Sequence, residues 1–279
     1  MKIWEAIIYG IFGGITELLP VSFNGHYAFL RGTFNMASLT EGAGYYIRAA
    51  ICLGVLTAIL IGFSGELRKT GVEVSYILGI RKAGRGYRKD HLTRRTLSLV
   101  FFALIPLLLS FVFRANADRM VHLLYTALIF FGNGLLLFFC FRGQEGRKGD
   151  RESNLADAFL MGMVSAVSIF PGLSVSGSCL SIGAARGLHY RYALRFSYLL
   201  LLVYEGVSFF YYLIRAFVYG SFSASLILPF LAALILSAVF GYFAIQYLRY
   251  LLERKNISMI CCYCWTLSTV MLILSLINA

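Results

Sequence analysis

The stretch "TELLPVSFNGHYAFL" at residues 16–30 places an acid, a proline, a serine, an asparagine, a glycine and a histidine within an apolar run over about residues 3–32. A second apolar run, over about residues 155–186, is interrupted in the same way by "FPGLSVSG" at residues 170–177. Proline and glycine interrupt helices, and irregular backbone at membrane depth requires cover by protein or water. Each run therefore predicts two half-helices that form a re-entrant hairpin.

The composition is that of a membrane protein. Apolar residues make up 59% of the 279 residues and charged residues only 14%, whereas ordinary globular proteins have roughly 25% charged residues. Besides the two interrupted runs, six uninterrupted runs are long enough to cross a bilayer as helices. We expect an all-α polytopic membrane protein whose single integral membrane domain covers residues 1–279. The six predicted transmembrane helices are 45–63, 97–113, 121–141, 196–214, 226–248 and 257–277.

The formal net charge of +12 lies mainly in the links between the apolar runs. In a soluble protein this charge would suggest nucleic acid, but here it fits the positive-inside bias and attraction to anionic lipid, so no nucleic-acid partner is expected. The most basic link is predicted to be a cytoplasmic loop over 64–96. Links 142–152, 186–195 and 249–255 are predicted on the same side, and the less basic links 114–120 and 215–225 outside.

This orientation predicts an inverted repeat. The first hairpin would enter from the outside and the second from the cytoplasm, and three spans follow each of them. The repeats would cover about residues 1–141 and about 153–279. In such architectures the substrate site lies near mid-membrane, where the broken helices meet. Hydroxyls and free backbone amides at helix starts are suited to an anion, so we expect a polar, anionic ligand there.

Several titratable residues lie in or near the predicted site. Glu17 and His26 flank the first interruption, and histidine can transfer a proton or attack phosphorus. Arg48 and Glu205 lie within predicted spans, where a buried ion is costly and indicates function.

Each residue also has a simpler interpretation. Arg48 would extend to the outer headgroups, and a lone His26 would be a hydrogen-bonded structural residue. The serines of the second interruption would satisfy backbone groups or permit close helix packing. The two interruptions taken together favour the functional interpretation. Those serines are Ser174, Ser176 and Ser178.

Two motifs resemble those of a known family. "GITELLPVSFNGHYAFL" at residues 14–30 resembles the first signature of the undecaprenyl-pyrophosphate phosphatase family (bacitracin-resistance type), E-G-x-T-E-F-L-P-V-S-S-T-G-H. "FPGLSVSGSCLSIGAARGL" at residues 170–188 resembles its second signature, P-G-x-S-R-S-G-x-T, and "RFSYLL" at 195–200 is similar to its F-S-F-L-L. The resemblance covers the whole chain and implies six spans with two opposed re-entrant hairpins.

The resemblance also implies a function. The family removes one phosphate from the polyprenyl diphosphate carrier of envelope synthesis, with help from a divalent cation such as Mg or Ca, in the bacterial inner (plasma) membrane. The partners implied are the polyprenyl (di)phosphate lipid and the membrane, and a homodimer is allowed. By motif match, His26 and Glu17 would be catalytic and Glu17 a metal ligand. The expected substrate-binding residues are Ser22, Asn24, Gly25, Gly172, Ser174, Ser176, Gly177, Ser178, Arg48 and Glu205.

The chain departs from the family pattern at several motif positions where the family has charged or hydrogen-bonding side chains. Valine in place of the loop arginine removes five hydrogen-bond donors that would neutralise a phosphate. The departures are Gly13 for the first acid, Phe23 for the second serine, Asn24 for the following threonine, Val175 for the loop arginine, Cys179 for a threonine, and Arg48 and Cys52 for an acid and a glutamine.

Three functions follow as hypotheses. The first is a polyprenyl-diphosphate phosphatase in which Arg48 supplies the relocated positive charge and Glu205 compensates for the acid missing at Gly13. The second is a catalytically degenerate transporter that flips monophosphorylated polyprenol, since an inverted repeat suits alternating access. The third is a lipid-binding or regulatory protein, which leaves the retained Glu17 and His26 unexplained.

Overall fold

The computed structural model describes residues 2–80, 89–117, 122–143 and 145–277, which form an all-helical protein without a β-sheet in these ranges. Short 3₁₀ turns occur at Ser110–Phe113 and Ala224–Leu226. Four basic residues of the predicted cytoplasmic loop lie outside the described residues, namely Arg81, Lys82, Arg85 and Arg88. The helices are α1 Ile3–Leu18, α2 Phe23–Phe34, α3 Gly44–Gly62, α4 Ser64–Ile77, α5 His91–Leu109, α6 Arg114–Ala117, α7 Leu123–Phe141, α8 Leu155–Val167, α9 Val175–Ala185, α10 Tyr190–Tyr219, α11 Ile227–Glu253 and α12 Ser258–Ile277.

The prediction of six spans is confirmed by length and composition within the described ranges, and the protein is a multi-pass membrane protein. Three predicted spans were too short at both ends. The span predicted at 97–113 is His91–Ala117, the one at 196–214 is Tyr190–Tyr219, and the one at 226–248 is Ala224–Glu253. Helices extend into polar flanks because backbone hydrogen bonding continues where hydropathy falls. The spans are Gly44–Gly62, His91–Ala117, Leu123–Phe141, Tyr190–Tyr219, Ala224–Glu253 and Ser258–Ile277.

Both interrupted runs form broken helix pairs. The first pair, α1 and α2, is separated by residues 19–22, and the second pair, α8 and α9, by residues 168–174. A serine caps the second helix of each pair: the Ser22 hydroxyl accepts from an amide of α2 and the Ser174 hydroxyl from an amide of α9. Serine is a favoured N-cap because it satisfies one of the otherwise unpaired amides. Entry of these pairs into the bilayer from opposite faces stays a prediction.

Four of the helix pairings are related by an exchange of the two halves. α1 packs against α11 as α8 packs against α5, while α3 packs against α10 and α7 against α12. An operation that exchanges α1 with α8, α3 with α10, α5 with α11 and α7 with α12 reproduces this set of pairings. The pattern is consistent with repeats over about 1–141 and 153–279, whose opposite orientation stays a prediction.

Small residues bring α1, α3 and α11 close together. A β-carbon at Gly14 would lie 2.8 Å from the Cα of Ser237 on α11, and one at Gly54 would lie 3.0 Å from the amide nitrogen of Ala238. Small residues are the usual means by which membrane helices approach closely. This close approach places α1, the first helix of the first broken pair, next to α3, the span that carries Arg48.

We expect Gly54→Ala to lower the free energy of unfolding by about 2 kcal/mol, since an added methyl must displace helix backbone. Gly65→Ala on the exposed start of α4 is the matched control, because a β-carbon there meets nothing within 4 Å. The measurement is the thermal unfolding midpoint of the purified protein in detergent. Equal midpoints for the two variants would contradict the close α3–α11 contact.

Candidate functional site

A single amide side chain joins the two interruptions. Asn133 on α7 is fully buried; its Nδ2 donates to the Pro20 carbonyl at 2.9 Å, and its Oδ1 accepts from the Ser174 amide at 3.1 Å. Sequence reasoning missed this residue. The available signal was a lone carboxamide in the middle of an apolar span, where an unsatisfied polar group is expensive.

Glycines allow the two interruptions to touch. A β-carbon at Gly25 would lie 3.2 Å from the Gly172 Cα, and one at Gly177 would lie 2.8 Å from the Pro20 Cβ. Gly172 also has a φ of +113°, a backbone conformation that L side chains rarely adopt. The hydroxyl of Ser176 donates to the Glu17 carbonyl at 3.2 Å. The structure thus brings together the two polar segments that the sequence places far apart.

An ion pair lies beside this contact. Arg48 Nη2 donates to Glu17 Oε1 at 2.8 Å, with both side chains buried, and also lies 3.4 Å from Asn24 Oδ1. The guanidinium carbon stands 4.0 Å from the centre of the Phe23 ring, within cation–π range. Arg48 therefore points into the protein, and the interpretation that it extends to the outer headgroups is wrong.

One nitrogen of this guanidinium is unsatisfied. Arg48 Nη1 is buried and has no hydrogen-bond partner in the part of the chain that the structure describes. A buried donor without an acceptor costs about 1–3 kcal/mol, and more when it is charged. The site therefore presents an unused, positively charged donor next to the two interruptions.

The residues that replace family motif positions pack against one another. A β-carbon at Gly13 would lie 2.5 Å from Ile51 Cγ2 and 3.4 Å from the Phe23 ring, so an acidic side chain has no room there. The Phe23 ring in turn covers Arg48. These substitutions form one packed unit, in which apolar atoms occupy the space that an acid and a serine hydroxyl would need.

His26 is held away from the ion pair. Its Nδ1 lies 2.8 Å from the Ser22 carbonyl oxygen, which can only accept, so Nδ1 carries a proton. In the neutral ring Nε2 then accepts from the Tyr263 hydroxyl at 2.6 Å, and the two rings stack at 5.7 Å. His26 is only 1% exposed. Its partner Tyr263, on α12, was not anticipated from the sequence.

The remaining predicted residues lie in three places. Ser22 and Ser174 cap α2 and α9 at the contact, whereas the Ser178 hydroxyl pairs with Ser168 Oγ at 3.0 Å, inside the second broken pair. Ser178 therefore has a structural contact, and its role in binding stays a prediction. Glu205 on α10 is fully buried, and neither carboxylate oxygen has a hydrogen-bond partner among the described residues.

A second buried cation was missed altogether. Arg114, in the link predicted to lie outside, is only 1% exposed. Its Nε and Nη2 donate to the Tyr212 hydroxyl at 3.1 and 2.7 Å, and its Nη1 donates to the Tyr204 hydroxyl. The assignment of residue 114 to an exposed link is wrong, because α6 continues the span and places the guanidinium against α10.

The predicted metal ligand has a different partner. Glu17 Oε1 is bonded to Arg48, and Gly13 offers no second carboxylate. Over residues 2–80, 89–117, 122–143 and 145–277, no group of three or more His, Cys, Asp or Glu side chains could hold a metal ion. These residues do not fit a divalent cation held by protein side chains, and a cation carried by the phosphates of a lipid stays a prediction of the family resemblance.

Two neighbouring openings lie near the contact. A narrow cavity between the interruptions is lined by Phe23, Asn24, Arg48, Pro171 and Tyr212, among others. A wider polar opening, the vestibule, shares Thr40 with this cavity. The vestibule residues include Arg31, Thr40, Glu41, Tyr45, Arg215 and Tyr219.

Comparisons with known proteins point to one family. A family model described as bacitracin resistance protein BacA matches residues 6–270. A relative from Methanobrevibacter smithii named undecaprenyl-diphosphatase is 29% identical over 274 residues, which cover 95% of each chain. Relatives of the same name from Carboxydothermus hydrogenoformans and Alkaliphilus metalliredigens are 27% and 24% identical; the first alignment covers 98% of each chain, and the second covers 99% of this chain and 100% of the relative.

Proposed function

The chain belongs to the BacA family, and from this we propose that it binds the phosphate-bearing head of a polyprenyl lipid where its two broken helix pairs meet. The observation that carries the proposal is the unpartnered Nη1 of Arg48, buried beside a cavity between the pairs. A phosphate oxygen is a strong acceptor for guanidinium and would satisfy this donor.

Two further features support an anionic ligand. Helices α2 and α9 both begin at this contact, and helix starts attract anions through their unpaired amides and positive dipole ends. The vestibule contains Arg31 and Arg215, and clustered positive charge raises the local concentration of anions. The cavity is narrow in this conformation, so entry of a lipid head requires the Phe23 ring or the second interruption to move.

The geometry favours transport of the lipid over its cleavage. Glu17 is bonded to Arg48, His26 Nε2 is bonded to Tyr263, and Val175 supplies no donor where the family motif has arginine. We therefore propose a flippase for polyprenyl phosphate in the bacterial plasma membrane, which would return carrier lipid to peptidoglycan synthesis. Two opposed broken pairs related by an inverted repeat would provide alternating access. A homodimer stays a prediction.

A second candidate is hydrolysis of a polyprenyl diphosphate to the monophosphate. It is favoured by the match over nearly the whole chain to relatives named undecaprenyl-diphosphatase and by the retained Glu17, Ser22 and His26. His26 would act as nucleophile or proton shuttle, Glu17 as proton partner and the serines as donors to phosphate. This chemistry would require His26 to leave Tyr263 and Glu17 to leave Arg48.

Phosphate release separates the two candidates. We expect the purified protein in detergent to release no more phosphate from a polyprenyl diphosphate than its His26→Ala variant does, with Mg, Ca or other divalent ions present. Release above this control would favour the hydrolase. Tyr263→Phe, which removes only the hydroxyl bonded to His26, should then raise release further. Vesicles that contain the protein and a polyprenyl monophosphate test flipping directly, and lipid movement equal to that in protein-free vesicles would overturn the flippase.

A further inference from the structure

Four charged side chains are buried within the membrane-spanning part of the protein, and they differ in their hydrogen-bond partners. Arg48, Arg114, Glu17 and Glu205 are all at least nine-tenths buried. Glu17 is paired with Arg48, and Arg114 donates to tyrosine hydroxyls on α10. Glu205 makes no hydrogen bond among the described residues. The four side chains sum to zero charge when Glu205 is ionised and to +1 when it carries a proton.

The groups that act on Glu205 come from three other helices. They are Glu17 on α1, Arg48 and Cys52 on α3, and Arg114 on α6. Cys52 lies one turn beyond Arg48 on α3, and its thiol faces Glu205 without reaching hydrogen-bond geometry. On α10 itself, Tyr204 precedes Glu205, and its hydroxyl accepts from Arg114 Nη1. Neither oxygen of Glu205 receives a hydrogen bond from Tyr204. Glu205 therefore shares one buried electrostatic environment with the proposed phosphate site.

A purely structural carboxylate would be expected to have donors around it. Buried polar groups in proteins are almost always hydrogen-bonded, and an ionised carboxylate without donors is especially costly. Glu205 lies within a 30-residue span, is not exposed to solvent, and has no donor in the ranges that the structure describes. In membrane proteins such acids belong to ion or proton pathways.

We infer that Glu205 is a proton-binding site coupled to the phosphate head, taking up one proton from water when the lipid binds and releasing it when the lipid leaves. A phosphate at Arg48 adds negative charge to an environment that is neutral only with Glu205 ionised. Like charges interact strongly where the effective dielectric constant is low. Formation of the carboxylic acid O–H removes this repulsion; the proton leaves a hydronium ion or buffer acid in the solution, whose bond to it breaks. The inference rests on the proposed lipid-phosphate binding.

Proton uptake on binding tests the coupling. A polyprenyl monophosphate is added to the full-length protein in detergent at about pH 8, where a phosphate monoester with a second pKa of about 6 is almost fully ionised. A pH indicator in weak buffer reports protons taken up, and tryptophan fluorescence reports binding. We expect uptake of up to one proton per lipid bound in the wild type and almost none in Glu205→Gln. Glu66→Gln, on the exposed surface of α4, is the control and should match the wild type.

The affinity should show the same coupling. With one proton taken up per lipid, the wild-type Kd should rise by up to tenfold for each pH unit between about pH 7 and 9. The Kd of Glu205→Gln should not change with pH in this way, and near pH 9 this variant should bind the lipid more tightly than the wild type does. Damage to packing would instead weaken binding at every pH. Independently of any variant, an infrared difference spectrum of the wild type should gain a protonated-carboxyl C=O band when lipid binds.

The outcomes separate the inference from the function on which it rests. Lipid binding with equal proton uptake in wild type and Glu205→Gln, or without the infrared band, would overturn the proton coupling alone. Failure of the wild type to bind the polyprenyl monophosphate would overturn the proposed function, and the coupling with it.

Discussion

Arg48→Ala should weaken binding of a polyprenyl monophosphate by about 100-fold or more. Loss of one partner from a buried charged contact costs about 2–5 kcal/mol in binding, and 2.7 kcal/mol corresponds to 100-fold in Kd. Arg48 is buried at the contact between the two interruptions, and its Nη1 has no hydrogen-bond partner among the residues that the structure covers. The measurement is equilibrium binding in detergent. Arg68→Ala, an exposed arginine on α4, is the control and should bind as the wild type does.

The same substitution also affects folding, and a double variant separates the two effects. Without Arg48, the Glu17 carboxylate stays buried and unpaired, which should lower the free energy of unfolding by about 3–5 kcal/mol. Adding Glu17→Gln removes the unpaired charge and should recover much of this stability without recovering binding. If the double variant regains both stability and affinity, Arg48 is only a structural partner of Glu17 and does not hold phosphate.

Asn133→Leu should separate the two interruptions. Leucine is branched at the same carbon as asparagine but leaves the Pro20 carbonyl and the Ser174 amide without their buried partner. At about 1–3 kcal/mol for each unsatisfied group, the expected loss of unfolding free energy is about 2–6 kcal/mol. Binding should fall as well, because both helix starts lose their common anchor. The thermal midpoint and lipid affinity are measured in the same detergent.

Two substitutions sharpen this test. Asn133→Asp keeps an acceptor for the Ser174 amide but loses the donor to Pro20, so its loss of stability should be intermediate. Asn256→Leu replaces an exposed asparagine and should leave the midpoint within about 0.5 kcal/mol of the wild type, as surface substitutions usually do. A midpoint for Asn133→Leu equal to that of Asn256→Leu would show that the two interruptions meet without this amide.

The substitutions in the family motifs show why the first signature alone could not indicate activity. A glycine, a phenylalanine and an arginine at positions 13, 23 and 48 look like unrelated losses in the sequence. In three dimensions the absence of a side chain at Gly13 leaves room for Ile51 and the Phe23 ring, which covers Arg48. Close packing explains this dependence, since a core cannot accept one changed volume without adjusting its neighbours.

The membrane class, the six spans and the positions of both interruptions follow from local properties of the chain. Hydropathy over about 20 residues sets which segments can cross a bilayer. Pro20, Pro171 and the nearby glycines mark where helices must stop, because proline and glycine change the conformation of their own backbone and that of adjacent residues. These features were therefore predictable without any knowledge of packing.

The partners of the polar side chains depend on contacts between segments distant in sequence. Asn133 bonds to both interruptions, each of which lies more than 30 residues away from it in the sequence. Tyr263 on α12 bonds to His26, and Arg114 bonds to tyrosines of α10. Hydropathy and motif spacing describe one segment at a time, so they could name Glu17, His26, Arg48 and Glu205 as polar residues in an apolar setting. Only the packing of helices decides that the first three have partners. Packing also decides that, within the described part of the chain, one nitrogen of Arg48 and both oxygens of Glu205 have no hydrogen-bond partner.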